Sequence, residues 1–249
     1  MTAEEKLLKK RFSELSARAS SNYYYTYSEF LTLAEQDLLI RTPLESSYTL
    51  IGGYDAAERK LVQFGDESLC GYTEDAPACW ICASPAAPKF ADKLTHRDFL
   101  GSLMGLGIRR EVLGDIIIDD NSAYIYCLTS IADYIISEFT QAKHTKIKVS
   151  FVTAPPDKAA SLPEKSRIVI SSERLDAVIA AVYRISRSES QQLFVKEHVF
   201  VNSRLITSTS YSPDMGSVIS VRGHGRFIYE GIERETKKGR LSASVRIFK

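Results

Sequence analysis

The sequence predicts an α+β protein built from small mixed units of helix and sheet. Two observations support this fold class. Strand-like and helix-like segments follow one another in the order β-α-β-β-α-β over residues 77–153. Two short helical segments and then short alternating strands close the chain. With 249 residues, 44% hydrophobic and 25% charged, the chain has the size and composition of two or three small globular domains.

The first region, residues 1–76, is predicted to be a small mixed α/β region. Its opening "MTAEEKLLKKRFSEL" predicts an amphipathic helix, whose apolar residues recur at helical spacing: Leu7, Leu8, Phe12 and Leu15. The segment "YSEFLTLAEQDLLI" predicts a second amphipathic helix that includes Phe30 and Leu31. A strand, a turn at Gly52–Gly53 and a second strand over residues 61–64 then follow.

The start of the chain also bears on location. It is charged and lacks the apolar stretch of a secretory signal. No apolar run approaches the ~20 residues of a membrane helix. We therefore expect a cytoplasmic protein, or one of the plastid stroma if the sequence is from a plant, with no membrane partner.

The second region, residues 77–153, contains the β-α-β-β-α-β series. "ACWICAS" predicts a strand, and "LTHRDFLGSLMGLG" predicts a helix that Thr95 and Asp98 begin as a capping box. "GDIIID" and "NSAYIYCL" predict a hairpin, "SIADYIISEFTQA" a helix and "KIKVSFV" a last strand. This is the ferredoxin-like plan, which is also that of RRM-like domains. It packs two helices on one sheet face and leaves the other free, a face that RNA-binding modules often use.

Residues 154–166 are rich in Pro, Ala and Lys without periodicity and predict a linker. The third region, residues 167–249, begins with a helix whose apolar face holds Leu175, Val178, Ile179 and Val182. Ser186 and Glu189 form a second capping box, so a new helix begins at Arg187. "HVFVNSRLI" predicts a hairpin, and "LSASVRIF" predicts a strand with Leu241, Ala243, Val245 and Ile247 facing inward.

Charge is unevenly distributed along the chain. Residues 172–249 contain 13 Lys and Arg against 8 Asp and Glu, whereas residues 1–171 contain 19 against 23. An acidic first part and a basic last part indicate an anionic partner for the C-terminal region.

The four cysteines are too few for a disulfide scaffold of this length. The "CWIC" segment resembles half of a zinc or redox site, but as a strand it points Cys79 and Cys82 to opposite faces. A zinc site would also need a second ligand pair, and the sequence offers none at suitable spacing. We expect no metal and no cofactor.

The C-terminal pattern resembles an S4 RNA-binding domain over roughly residues 172–230, on the segments "RLDAVI", "ISRSESQQLFVKEHVFVNSRLI" and "GSVISVRGHGRF". Two turn residues depart from that family: Glu197 stands where Gly is common, and Ser217 stands where Asp often follows Gly216. Together with "GGYDAAERK", "LTHRDFLGSLMGLGIRREVLGDIIID" and "KKGR", most of the chain resembles the YlmH family of bacterial and plastid S4-domain proteins. That resemblance implies an RRM-like middle domain, binding to large ribosomal subunits and to rRNA or tRNA, and a role in ribosome-associated quality control of stalled nascent chains.

Arg187 is the leading candidate for RNA contact. It lies in the first helical turn beside Ser186 and Ser188, where backbone N–H groups and hydroxyls can bind phosphate, and it shares a helix face with Gln191. The glycine-rich "RGHGRF" is predicted to be a basic turn between strands, because it lacks the spacing of a phosphate-binding P-loop. The whole predicted RNA-binding set is Arg109, Arg110, Arg174, Arg184, Ser186, Arg187, Ser188, Gln191, Lys196, Asn202, Arg204, Arg222, His224, Arg226, Lys237, Lys238 and Arg240. Arg59 and Lys60 are predicted to be solvated loop residues.

The expected protein is a non-enzymatic, monomeric RNA-binding factor without a small-molecule substrate. "HRD" at residues 96–98 resembles a kinase catalytic loop, but position 103 is Leu where a kinase needs Asn. An alternative is an RNA-modifying enzyme that an S4 domain delivers to its substrate, with His96, Asp98, Asp115 and Asp119 as candidate residues. Another is a scaffold for cell-division proteins.

Overall fold

A computed structural model describes residues 2–236 and 239–248 of the chain. Helices are mixed with antiparallel sheets, which confirms the predicted α+β class. The chain divides into two compact units, Met1–Ser161 and Leu162–Lys249, called unit 1 and unit 2 below. Within the described residues, no helix combines the length and the apolar character that a bilayer crossing requires.

Unit 1 contains the predicted N-terminal region and the predicted middle domain in one body. Its elements are α1 (Ala3–Asn22), β1 (Thr26–Tyr27), α2 (Leu33–Ile40), β2 (Tyr48–Ile51), β3 (Leu61–Phe64), α3 (Glu67–Cys70), β4 (Ala78–Pro85), α4 (His96–Gly105), β5 (Leu113–Asp119), β6 (Ser122–Leu128), α5 (Thr129–Glu138), β7 (Gln141–Ala142), β8 (Thr145–Val152) and α6 (Asp157–Ala160). They form a small sheet in the order β1-β3-β2 and a larger one in the order β5-β6-β4-β8-β7.

The N-terminal helices differ in detail from the prediction. In α1, Phe12 and Leu15 are buried, but Leu7 is 70% exposed because it lies off the apolar stripe that continues to Ala19. The helix α2 is shorter than predicted. Thr32 caps it in a capping box with Glu35, so the preceding Phe30 and Leu31 are extended rather than helical.

The ferredoxin-like part of unit 1 follows the predicted order of elements. The strands β5, β6, β4 and β8 are antiparallel neighbours, and α4 and α5 pack on one face of their sheet. The Asp98 carboxylate accepts hydrogen bonds from the Thr95 N–H (2.8 Å) and hydroxyl (2.7 Å), so the predicted start of α4 is confirmed. Asp120 and Asn121 form the predicted hairpin turn with positive φ.

The opposite face of this sheet is not free along its whole length, contrary to the expectation from the fold plan. Trp80 and Tyr126 project from it and are only 5% and 6% exposed. Phe30 and Leu61 of the N-terminal region pack against them in one apolar cluster, with the Phe30 and Tyr126 ring centroids 5.5 Å apart. Two large aromatic residues on one face would expose several hundred Å² if uncovered, and the N-terminal region removes that surface from water.

A polar network ties the N-terminal region to strand β5. The Asp115 carboxylate accepts hydrogen bonds from the Tyr54 hydroxyl (2.9 Å) and from the N–H groups of Glu58 (2.7 Å) and Arg59 (3.1 Å). The Arg59 guanidinium donates to the carbonyl oxygens of Phe30 (2.9 Å) and Leu113 (3.0 Å). Arg59 is therefore a packing residue rather than the solvated loop residue that the sequence suggests.

We expect Asp115→Ala to lower the free energy of unfolding of unit 1 by about 2 kcal/mol, because three donors lose a charged acceptor. Trp80 is the only tryptophan of the chain and lies in unit 1, so urea unfolding followed by its fluorescence measures this loss. Asp119→Ala, at the other end of the same strand, is the matched control. An unfolding midpoint of Asp115→Ala equal to that of the control would contradict the structural role.

Unit 2 is one six-stranded sheet covered on one face by two helices. Its elements are β9 (Lys165–Ile170), α7 (Leu175–Tyr183), α8 (Arg187–Val195), β10 (Val199–Val201), β11 (Arg204–Leu205), β12 (Val218–Val221), β13 (Gly225–Glu235) and β14 (Leu241–Ile247). The strand order is β11-β10-β12-β13-β14-β9. The predicted inward residues of α7 and of the last strand pack in or against its core, and α8 begins at Arg187 as predicted.

The segment predicted to be a linker contains structure at both ends. The short helix α6 packs its Ala160 against the apolar cluster of unit 1. Strand β9 begins at Lys165 and pairs with β14. Only Ile168 and Ile170 of β9 are buried in the core, a pattern too short to predict a strand.

Glu197 occupies a left-handed turn at the end of α8, with φ of 56°. The N–H of Glu197 donates to the Phe194 carbonyl (3.0 Å), and the N–H of His198 donates to the Leu193 carbonyl (2.9 Å). This pair of bonds is the Schellman motif, in which the left-handed position is usually Gly. Glu197, which departs from the S4 pattern, therefore lies at a position whose positive φ favours Gly.

We expect Glu197→Gly to stabilise unit 2 by about 0.5 to 1 kcal/mol, because glycine adopts positive φ without the steric penalty of a Cβ. Lys196→Gly, one residue earlier at φ of −80°, is the control and should destabilise. Amide hydrogen exchange of β12 and β13 reports the stability of unit 2 in both variants. Faster exchange in Glu197→Gly than in the parent would contradict the prediction.

Candidate functional site

A buried carboxylate organises the helix pair of unit 2. Asp176, in the first turn of α7, has no exposed surface. Its two oxygens accept hydrogen bonds from Arg174 (Nε, 3.1 Å), from Arg187 (Nε, 3.1 Å) and from Gln191 (Nε2, 3.0 Å). Longer bonds from the Nη2 atoms of Arg174 (3.3 Å) and Arg187 (3.4 Å) complete two forked contacts. One acid thus holds two arginines from different helical segments together.

The local sequence explains this convergence. Ser186 caps α8, and the Glu189 carboxylate accepts a hydrogen bond from the Ser186 N–H at 2.8 Å. These contacts confirm the predicted capping box. The buried Ser190 donates its hydroxyl to the Asp176 carbonyl oxygen at 2.8 Å, so the first turns of the two helices are joined. Arg187 and Gln191, four residues apart, then reach the same carboxylate.

The electrostatics of the cluster favour the ionised form of Asp176. Burial would raise the pKa of Asp176, but the hydrogen bonds from Arg174, Gln191 and Arg187 outweigh it and hold the pKa at about 2. The Arg174 and Arg187 side chains remain 38% and 47% exposed. The cluster has a net charge of +1 and presents two oriented guanidinium groups at the surface.

Three predicted residues, Arg174, Arg187 and Gln191, are therefore brought together, and sequence reasoning missed the residue that joins them. That residue is Asp176. The sequence feature that could have identified it is an aspartate in the first turn of an otherwise apolar helix, two residues after Arg174. Ser188 is exposed in the first turn of α8, whereas the Ser186 hydroxyl accepts the Glu189 N–H at 3.1 Å as part of the cap. Arg184 is exposed in the left-handed turn between the two helices.

A second group of predicted residues lies on the opposite face of the unit 2 sheet. Arg222 stacks over the Phe200 ring with 4.8 Å to its centroid, and Arg226 stacks over Phe248 at 4.3 Å. Phe200, Ser220 and Arg226 are partners across three neighbouring strands, so they share the face away from the helices. The basic residues of unit 2 therefore occupy two sides of the unit rather than one continuous surface.

The remaining predicted residues of unit 2 have different surroundings. Asn202 forms the hairpin turn, and its side-chain oxygen accepts the Val218 N–H at 2.9 Å. The His224 ring lies 5.2 Å from that of Tyr183. Lys196 and Arg240 are exposed, and Arg204 lies in the short edge strand β11. Lys237 and Lys238 lie outside the described residues.

The two arginines predicted in unit 1 are engaged within it. Arg110 donates to the carbonyl oxygens of Leu113 (2.7 Å) and Gly114 (2.8 Å). Burial, followed by repulsion from Arg59, lowers the pKa of Arg110 to about 10. Arg109 is more exposed and pairs with Glu29. Arg110 is therefore partly buried, and its guanidinium binds backbone oxygens of its own unit.

Two of the candidate residues of the enzyme alternative, Asp98 and Asp115, have structural roles. Asp98 caps α4 and pairs with Lys143 (2.9 Å), and the hydrogen bonds from Thr95 and Lys143 lower its pKa to about 2. Asp115 holds the loop described above, and His96 stands exposed at the start of α4. Among the described residues, no three His, Cys, Asp or Glu side chains cluster as metal ligands.

The cysteines follow the strand alternation that the sequence predicts. Cys79 packs against the core under α4 and α5, and Cys82 lies on the opposite face beside Tyr124. Burial, and to a lesser extent the neighbouring Cys79, raises the pKa of the Cys127 thiol well above its usual range. These thiols belong to the packing of the sheet.

Comparisons with known proteins found three similarities. Residues 83–155 match the family model described as "Putative RNA-binding domain in YlmH". Over 222 residues the chain is 31% identical to "Ribosome-associated protein quality control protein P2" of Bacillus subtilis (strain 168), across 87% of this chain and 84% of that protein. The solved structure "Cell division protein ylmH from Streptococcus pneumoniae" is 16% identical with a TM-score of 0.49, and the match covers 64% of this chain and 94% of that one.

Proposed function

Because the chain belongs to the YlmH family, we propose that it is an RNA-binding protein that acts on the ribosome. The match of residues 83–155 to an RNA-binding family model supports the RNA partner. The name of the Bacillus subtilis relative supports an association with ribosomes and a role in protein quality control. In this proposal the protein binds and positions RNA and carries out no chemical step.

The observation that carries the proposal is the Asp176 cluster, in which a buried acid orients Arg174 and Arg187 at the surface of unit 2. Unit 2 is the basic part of the chain. Each guanidinium uses its Nε and Nη2 atoms for Asp176, so its Nη1 side is the part that can bind phosphate oxygens. We assign unit 2 as an S4-type domain that docks on structured rRNA of the large ribosomal subunit. Such RNA is recognised mainly by its shape and backbone.

Phosphate neutralisation makes the binding depend on salt. Each phosphate contact releases counterions, so affinity should fall steeply as salt rises. The candidate phosphate contacts described in unit 2 are Arg174, Arg184, Ser186, Arg187, Ser188, Gln191, Lys196, Asn202, Arg204, Arg222, His224, Arg226 and Arg240. tRNA is the second RNA partner that we propose.

Sedimentation tests the proposal directly. The protein, mixed with purified bacterial large subunits, small subunits or tRNA, is centrifuged through sucrose gradients at about 0.1 M and about 0.5 M salt. We expect it to travel with large subunits at low salt and to be released at high salt. Binding to small subunits alone, or to none of the RNAs at low salt, would overturn the proposal. Appearance of a modified nucleotide in the bound RNA would favour the enzyme alternative instead.

A further inference from the structure

The sheet of the ferredoxin-like part has an uncovered end on the face away from α4 and α5. The N-terminal region covers this face where Trp80 stands. Four residues further along β4, Ser84 points to the same face, and its partner on the neighbouring strand β8 is Lys148. Lys146 is two residues before Lys148 and shares its face, and both lysines are exposed. The β8 side of this free end is therefore basic, and Asp119 lies on the same face on β5, with β4 and β6 between.

The loop after β4 lies beside these lysines. The Ala86 N–H donates to the Lys146 carbonyl at 2.8 Å, and the Asp92 N–H donates to the Thr145 hydroxyl oxygen at 2.9 Å. The first bond continues the pairing of β4 with β8. The second places Asp92 on the helix side of the sheet, because the buried Thr145 side chain points to the same face as Ile147. Residues 87–91 therefore lie between these two attachment points at the end of the sheet. Between these two bonds the loop adds one exposed lysine and an exposed aromatic ring, and we name the resulting surface the lysine strip: Lys89, Phe90, Lys146 and Lys148.

The strip is basic in a unit that is acidic. Residues 1–161 contain 17 Lys and Arg against 22 Asp and Glu. Nevertheless, residues 76–91 and 139–156 contain no Asp or Glu at all. These two stretches supply all four members of the strip. Separation of charge on this scale creates a local positive potential that attracts an anion.

The exposed Phe90 side chain indicates which kind of anion the strip binds. Its side chain is 90% exposed, so it contributes nothing to the core. An exposed ring among lysines matches the surfaces that bind single-stranded nucleic acid, where bases stack on aromatic side chains and cations follow the backbone. A membrane surface would call for a broad apolar face, and the strip has one apolar side chain.

We propose that the lysine strip is a second RNA-binding surface, which binds backbone phosphates through Lys146 and Lys148 and stacks one unpaired base on Phe90. The inference rests on the proposed function and deepens it, because it assigns a place for RNA on unit 1. It also replaces the RNA-binding face expected from the fold plan, whose Trp80 end is occupied by the N-terminal region.

The first test removes the charges of the strip. The probe is a labelled RNA stem-loop with a single-stranded tail, and binding is measured by fluorescence anisotropy over a range of salt. For Lys146→Ala/Lys148→Ala we expect about tenfold weaker binding at about 0.15 M salt and a salt slope lower by about 2, roughly 1 for each lysine lost. The matched control is Lys6→Ala/Lys10→Ala, two exposed lysines on α1 of the same unit, which should bind like the parent.

The second test isolates the ring. Phe90→Ala should weaken binding of the tailed stem-loop about fivefold or more and leave a blunt stem-loop unaffected, because only an unpaired base can stack. Leu7→Ala is the control for loss of an exposed apolar side chain. Unchanged Trp80 fluorescence in each variant confirms that unit 1 is folded.

The outcomes separate the two proposals. Parent-like affinity and salt slope in the double lysine variant, with the parent binding RNA, would overturn the lysine strip and leave the proposed function in place. A parent protein that binds no RNA probe and no ribosomal subunit would overturn the proposed function itself. Equal losses in the α1 control and in the lysine strip variant would also overturn the strip, since the effect would then be general charge.

Discussion

Asp176→Ala should destabilise unit 2 by about 3 kcal/mol, at the lower end for removal of one partner from a buried ion pair. The carboxylate is fully buried, and Arg174, Arg187 and Gln191 all donate to it. Without it, two guanidinium groups face each other with no counter-charge. Their partial exposure lets them turn toward water, which is why the loss stays at the lower end.

The loss should be seen as faster amide hydrogen exchange in α7, α8 and the strands they cover, with unit 1 and its Trp80 fluorescence unchanged. RNA affinity should fall as well, because the two arginines lose their orientation. Asp176→Asn keeps the shape and one acceptor, and we expect a smaller effect. Exchange rates in unit 2 equal to those of the parent would refute the role of Asp176 as the organising residue.

The lowered pKa of Asp176 also predicts how the stability of unit 2 changes with pH. The folded-state pKa of Asp176 is about 2, below the ordinary value of about 3.9 in an unfolded chain. A depressed pKa contributes stability above the unfolded value, and this contribution, about 2 kcal/mol, is lost as pH falls from about 4 to about 2. The difference in unfolding free energy between the parent and Asp176→Asn should therefore shrink over this window. A constant difference would contradict the assignment.

Arg174→Gln/Arg187→Gln should weaken RNA binding about a hundredfold at about 0.15 M salt, roughly 2.7 kcal/mol for two phosphate contacts. Glutamine can still donate to Asp176, so the change removes charge and the guanidinium fork while retaining one hydrogen bond to the buried acid. The salt slope should fall by about 2. Anisotropy titrations with the RNA stem-loop, together with sedimentation with large subunits, measure both quantities.

Arg167→Gln/Arg234→Gln is the matched control, because both arginines are exposed on strands β9 and β13 of the same unit. It changes the net charge of unit 2 by the same amount and should weaken binding only slightly. If the two double variants lose affinity equally, then total charge and not the Asp176 cluster determines binding.

Local patterns predicted much of the fold. The capping pairs Thr95 with Asp98 and Ser186 with Glu189 correctly indicated where α4 and α8 begin. The order of elements in the middle region and the hairpin of residues 198–206 were also predicted correctly. These features depend on residues within a few positions of one another, and a single sequence contains that information.

Contacts between distant segments could not be predicted in this way. Phe30 covers Tyr126 from almost a hundred positions away, and no local pattern reveals that contact. The sequence predicts a helix at Asp176 but not the burial of its carboxylate, because that burial depends on how α8 packs against α7. The lysine strip was missed because its lysines lie on two segments that only the strand pairing brings together.

The covered sheet face has a consequence for how this protein can be divided. The segment that the family model matches, residues 83–155, is shorter than the compact unit 1, Met1–Ser161. A fragment cut at those borders would lose Trp80 with five of the eight residues of β4, as well as Phe30 and Leu61, and would leave Tyr126 open to water. The matched segment and the compact unit thus differ in extent. The N-terminal region acts as an intramolecular partner that covers part of one face of the sheet.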